Sequence, residues 1–186
     1  STARIWDAFT GKPLTPLLKH PVKAVRTVEF SPCSNYLLST ADNLDKLFIW
    51  DVVTGNKLSS SISIPGEIIR SAKFSPCGKY IIIATDMLTA YIYDLKTGKT
   101  VFPDLIHPGK VWYAEISPNS KYAVTTSVSR VRVWDLAGWN GESKIKVKSL
   151  IDHDAFIYKA IFSPDSRKVA SYSSDSTIKI LDVNTG

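Results

Sequence analysis

Residues 25–55 read VRTVEFSPCSNYLLSTADNLDKLFIWDVVTG, and the features of this stretch return along the chain with a period near 44 residues. Ser-Pro closes an apolar run at Ser31-Pro32, Ser75-Pro76, Ser117-Pro118 and Ser163-Pro164, with spacings of 44, 42 and 46. A large side chain followed by Asp recurs at Trp6-Asp7, Trp50-Asp51, Tyr93-Asp94, Trp134-Asp135 and Leu181-Asp182. Thr-Gly follows four residues after that large residue at Thr10, Thr54, Thr97 and Thr185. Three markers held in one phase identify an internal repeat, and a period in this range belongs to a stacked array of small supersecondary units.

Each period offers four strand-like runs, a to d. In the first full unit these are Val25–Phe30, Leu37–Thr40, Leu47–Asp51 and Lys57–Ser63. Run a places apolar residues at Val25, Val28 and Phe30, then at Ile69, Ala72 and Phe74, at Val111, Ala114 and Ile116, and at Ile157, Ala160 and Phe162. The spacing of three and then two breaks strict alternation once, which predicts a β-bulge in every strand a. Pro with Gly or Ser after each run a suits tight hairpin turns. No helical periodicity of useful length appears. Short strands at regular spacing between turn signals predict an all-β chain.

The bulk composition agrees with a globular domain. The 186 residues are 44% hydrophobic and 22% charged, within the ordinary range. No apolar run approaches the roughly 20 residues that span a bilayer, and Ser1 to Lys12 carry no signal-like apolar stretch; no membrane association is expected. The net charge of +6 divides almost evenly among the repeats. A nucleic-acid surface would concentrate it in a stripe, so nucleic acid is not the expected partner. Cys33 and Cys77 form neither a disulfide framework nor a CxxC pair, which points to a reducing, cytoplasmic compartment.

The segments ARIWDAFTGK (3–12), LFIWDVVTGN (47–56) and VRVWDLAGWN (131–140) resemble strand c of WD repeats, and VEFSPCSNYLLST (28–40) resembles their strand a to b passage. The resemblance implies a β-propeller segment of about four WD-type four-stranded blades. Full blades are expected at 22–63, 66–106 and 109–151, with partial ones at 1–19 and 155–186. Four blades do not readily close a WD ring, so the expectation is an open arc or a fragment of a larger ring, with self-association through open blade ends as the other solution. The family also carries a hydrogen-bonded tetrad of His, Ser or Thr, Asp and Trp. The matching positions are His20, Ser39, Asp42 (or Asp45) and Trp50 in unit one. Unit two has Pro65 and Tyr93 in place of His and Trp. Unit three offers His107, Thr125 and Trp134 with Ser129 near the Asp position, and unit four His153, Ser171 and Asp175 with Leu181 for Trp. Only unit one is expected to be complete. Trp50 should therefore matter to stability far more than Trp139, which lies in the loop AGWNGES (137–143).

Neither catalysis nor cofactor chemistry is expected. The three histidines recur with the fold period, whereas a catalytic triad is assembled once. No thiol or carboxylate cluster joins them into a metal site, and neither GxGxxG nor a P-loop occurs. In WD propellers, partners often bind beside the first apolar residue of strand a. The resemblance carries this role to Arg26, Ile68, Arg70, Lys110, Trp112, Phe156 and Tyr158, a set of aromatics and cations of the kind that dominates interface energetics. The expected function is a non-catalytic protein-interaction scaffold, its basic half suiting an acidic or phosphorylated peptide. The alternative is a regulatory module of a larger enzyme, for example a kinase- or protease-linked one.

Overall fold

The computed structural model describes residues 1–21, 24–58 and 62–186, and every regular element among them is a β-strand. A leading ribbon pairs β1 (Thr2–Ala3) with β2 (Leu18–Lys19). The next sheet contains β3 (Val25–Phe30), β4 (Tyr36–Ala41) and β5 (Leu47–Asp51). A four-stranded sheet follows with β6 (Ile69–Phe74), β7 (Tyr80–Thr85), β8 (Thr89–Asp94) and β9 (Leu105–Ile106). Another contains β10 (Val111–Ile116), β11 (Tyr122–Ser127), β12 (Arg130–Asp135) and β13 (Val147–Asp152), and the last contains β14 (Ile157–Phe162), β15 (Lys168–Ser173) and β16 (Ile178–Asp182). All pairings are antiparallel and sequential, as in propeller blades. The sheet at 25–51 is three-stranded rather than four-stranded. Its expected strand d is present as bridges from Lys57 to Trp50 and from Ser63 to Lys46, and residues 59–61 of that segment lie outside the described residues.

The repeat markers are turn chemistry. Each Ser of Ser-Pro accepts, on its Oγ, the backbone N–H five residues on: Tyr36, Tyr80, Tyr122 and Lys168, at 2.9–3.0 Å. The fourth turn residue is left-handed, at Ser34, Gly78, Ser120 and Ser166. The Asp of the second marker caps the following turn. Asp51 Oδ1 accepts the N–H of Val53 and Thr54 and the Thr54 hydroxyl, and Asp7 and Asp94 act similarly. Gly11, Gly55, Gly98 and Gly186 then take the left-handed backbone that an L side chain resists.

The predicted bulge is present in every strand a. Register shifts fall between Val25 and Thr27, Ile69 and Ser71, Val111 and Tyr113, and Ile157 and Lys159. The extra, unpaired residue is therefore Arg26, Arg70, Trp112 or Tyr158.

The core lies between sheets, in successive layers. Leu38, Leu47 and Ile49 of one sheet meet Ile69, Ala72 and Phe74 of the next. Ile82, Ile92 and Leu105 meet Val111, Ala114 and Ile116. Val124, Val131 and Val133 meet Ile157, Ala160 and Phe162. The leading ribbon covers Leu37, Phe48 and Trp50 with Ile5 and Leu18, but among the described residues it adds no inner strands to set against β3. Val28 and Phe30, expected in the core, are therefore half-exposed. The far side of the last sheet is open as well, with Ile161, Tyr172, Ile178 and Ile180 exposed. The sheets form an open arc.

Candidate partner-binding rim

A bulge leaves one residue out of the ladder and turns its side chain away from the pleat. In this chain that residue is in each case one of the rim candidates. The bulge is held by the turn between strands b and c. Asp42 N–H bonds the Ala24 carbonyl at 3.0 Å, Asp86 N–H bonds Ile68 at 2.9 Å, and Ser174 N–H bonds Phe156 at 2.8 Å.

The side chains differ between the two halves of the arc. Arg26 Nε donates to Asp42 at 2.8 Å, and Arg70 donates to Asp86 at 3.1 Å. Both acids stand sixteen residues after their arginine. Ile68 is half-buried, and its contribution is a main-chain N–H to Asp86 at 3.0 Å. Lys110 is exposed and has no ion-pair partner among the described residues. Beyond it the rim is aromatic. The Arg70 guanidinium lies 5.0 Å from the Trp112 ring centroid. Trp112 meets Phe156 edge-on at 5.2 Å, Phe156 meets Tyr158 at 5.6 Å, and Tyr158 stacks on Tyr172 at 5.7 Å. Four of the seven candidates, Arg26, Arg70, Trp112 and Tyr158, are thus the bulge residues themselves, and Ile68, Lys110 and Phe156 each precede a strand a; Tyr172 extends the row although its repeat position carried no signal in the sequence. The acids opposite Arg26 and Arg70 could have been found from their shared spacing.

The rim opens into a groove of about 500 Å³ between the inner strands. Two of its lining residues are tied to Glu115, whose Oε2 accepts from Lys73 at 3.0 Å and from the Tyr113 hydroxyl at 2.6 Å and whose Oε1 accepts the Phe162 N–H at 3.3 Å. Burial raises the Tyr113 hydroxyl, with Glu115 adding to the effect. Burial also raises the Glu29 carboxyl, opposed by the nearby Lys73.

The tetrad in unit one is a relay of three side chains and one carbonyl. Trp50 Nε1–H donates to Ser39 Oγ at 2.7 Å, the Ser39 hydroxyl donates to His20 Nε2 at 2.7 Å, and His20 Nδ1–H donates to the Leu18 carbonyl at 3.0 Å. Asp42 is not a member, contrary to the sequence expectation. The outer nitrogen of His20 is already satisfied by Leu18, and the Asp42 carboxylate is drawn to Arg26. The Asp is instead used in unit four, where His153 Nδ1–H donates to Asp175 Oδ2 at 2.9 Å and Ser171 donates to Nε2 at 2.8 Å. Bonds from Thr177 and His153 hold the Asp175 carboxyl low. Unit three has Trp134 on Thr125 at 2.8 Å and places buried Arg132 against His107 at 3.0 Å. No unit assembles all four.

With sequential antiparallel sheets, a bulge in every inner strand and the His-Ser-Trp relay of unit one in place, the chain matches a family model, the WD domain, G-beta repeat, at residues 11–51 and 144–182. In those two stretches the chain matches the WD repeat. Among curated proteins it is similar to a WD repeat-containing protein 26 homolog of Arabidopsis thaliana, 27% identical over 81 residues. That match covers 43% of this chain and 13% of the plant protein, so the chain meets only a small part of its relative. WD repeats are generally modules of protein–protein interaction. Among the described residues no group of three or more His, Cys, Asp or Glu is placed to hold a metal ion, and no helix is long and apolar enough to cross a membrane.

Proposed function

We propose that this WD-repeat chain is a non-catalytic scaffold that binds a protein or peptide segment on the bulge rim. The observation carrying the reading is the coincidence of every strand a bulge with an arginine or aromatic residue, linked from Arg70 through Trp112 and Phe156 to Tyr158. Aromatic and arginine side chains held in place by neighbours bind with little further loss of rotamer freedom. The preference for an acidic or phosphorylated segment rests on Lys110, because Arg26 and Arg70 are already engaged by Asp42 and Asp86. The free, exposed Cys33 and Cys77 fit a reducing, cytoplasmic setting.

Selection of peptides from a random library against residues 1–186, half of them phosphorylated, tests the rim. Selected peptides should lose binding to Trp112→Ala and Tyr158→Ala and keep it for Arg167→Ala, which lies in a turn between strands a and b at the other end of the sheet. Equal binding to all three variants would move the partner surface elsewhere.

A further inference from the structure

The groove below the rim has a charge pattern that the rim reading does not use. Its cations are almost all matched: Arg26 to Asp42, Arg70 through one terminal nitrogen to Asp86, and Lys73 to Glu115. Three polar groups on the groove lining lack a partner among the described residues. Glu29 Oε2 is buried without a hydrogen bond, and so is Arg70 Nε. Lys159 forms no ion pair, its ammonium lying only against the Tyr113 ring at 5.4 Å. One carboxylate oxygen and one guanidinium nitrogen, both shielded from water, and the Lys159 ammonium are therefore without a polar partner around a single concave surface walled by Trp112 and Tyr113. A cavity of about 500 Å³ is of the size that encloses small ligands, with a few polar groups fixing their orientation.

We infer that this groove is a binding site for a small zwitterion of the α-amino acid class, its ammonium on Glu29 and its carboxylate between Lys159 and Arg70. A plain anion would leave Glu29 unmatched and repelled. A plain cation would face Lys159 and Lys73. Only a ligand carrying both signs completes all three groups, and a ligand hydrogen bond to an ionised partner is the strong kind. A neighbouring Lys-Glu side-chain pair in a partner peptide has the same chemistry.

Isothermal titration of residues 1–186 with free L-amino acids, with their N-acetylated and C-amidated forms, and with a capped Lys-Glu dipeptide separates the sources. Free amino acids should bind, and each capped form should bind at least about tenfold more weakly, since one charged hydrogen bond is worth about that factor. Glu29→Gln should weaken the free acid while leaving the already weak N-acetyl form unchanged. Lys159→Met should do the converse with the amide. Stronger binding of the capped dipeptide, with the same dependence on Glu29 and Lys159, would assign the site to a partner's side chains. Absence of binding by every probe, or binding indifferent to both variants, would overturn the inference. Tyr158→Ala, which lies outside the groove lining, reads the scaffold function separately on the rim peptides.

Discussion

Phe30, Phe74 and Phe162 stand at the same position of strand a in three sheets, yet Phe30 is 51% exposed while Phe74 and Phe162 are 6% and 7% exposed. Their own sheets are built alike, with the same register and the same bulge. The difference comes from the sheet in front. Phe74 packs into a layer shared with Leu38 and Ile49, and Phe162 into one shared with Val124 and Val133. Phe30 belongs to no such layer, and in front of its sheet the described residues place the ribbon of Thr2–Ala3 and Leu18–Lys19, which packs on Leu37, Phe48 and Trp50 instead. In a repeat array the blade itself is half of each core, and the neighbour supplies the rest.

The largest expected effect tests this directly. Phe74→Ala should cost about 3–5 kcal/mol, the usual loss for a buried aromatic, and Phe30→Ala under about 1 kcal/mol. Paired urea melts of residues 1–186 give both values. Equal losses would mean that something covers the leading face in solution. Light scattering then identifies a second copy as the cover: Phe30→Asp should lower the apparent mass if open faces associate, and leave it unchanged if they do not.

The two tryptophans sharpen the contrast at smaller scale. Trp50 is buried and bonded to Ser39. Trp139 was expected to be an inert loop residue, but it packs on Phe102 at 5.3 Å and donates to the Glu142 carbonyl at 2.7 Å. Trp50→Ala should cost about 3–5 kcal/mol and Trp139→Ala an intermediate amount, about 1–2 kcal/mol, from its partial burial. Chemical denaturation of both variants decides it. A negligible loss for Trp139 would return the loop to the periphery.

The fold was legible in the sequence because its markers are local chemistry. Ser31 bonds its own turn, Asp51 caps its own turn, and the three-then-two spacing of run a writes the bulge into one strand. What depends on distant segments was less visible. Asp42 sits at an acceptable tetrad position, and only the placement of Arg26 and the Leu18 carbonyl shows that it is used otherwise. The alternation of Val28 and Phe30 indicates which face they share but not whether anything meets it. The rim candidates came from repeat position, whereas the Glu115 network arises from strands converging from three sheets, and Tyr172 joins the row through the pairing of its own strand with β14.

Acid acts on His107. Burial, with Arg132 adding to it, pushes His107 down to about 3, whereas an unfolded chain titrates near 6.5. The folded state thus favours the neutral ring. As pH falls below about 6.5 the unfolded chain binds the proton first, and stability declines until about pH 3, where both forms are protonated. Above about 6.5 this residue adds no pH dependence. Parent and His107→Gln melts between pH 7 and 3 should differ in slope, with the parent steeper. Identical slopes would place the acid response on other groups.

The smallest effect compares the two arginines of the rim. Arg26 and Asp42 retain 34% and 43% of their side-chain exposure, whereas Arg70 and Asp86 retain 16% and 14%. Water and salt screen the first pair, and such exposed pairs contribute about 0–1 kcal/mol. Arg70 also lies against Trp112, and its loss would leave Asp86 with a partly buried charge held by the Ile68 N–H. Leaving such a group without its partner costs about 1–3 kcal/mol. Arg26→Ala should therefore be nearly silent, and Arg70→Ala clearly measurable. The Arg26 effect should also vanish when sodium chloride is raised from 0.1 to 1 M, over which the screening length falls from about 10 to 3 Å, while the Arg70 effect should persist. Equal, salt-sensitive losses would show that the second pair is as wet as the first and that the aromatic row does not shield it.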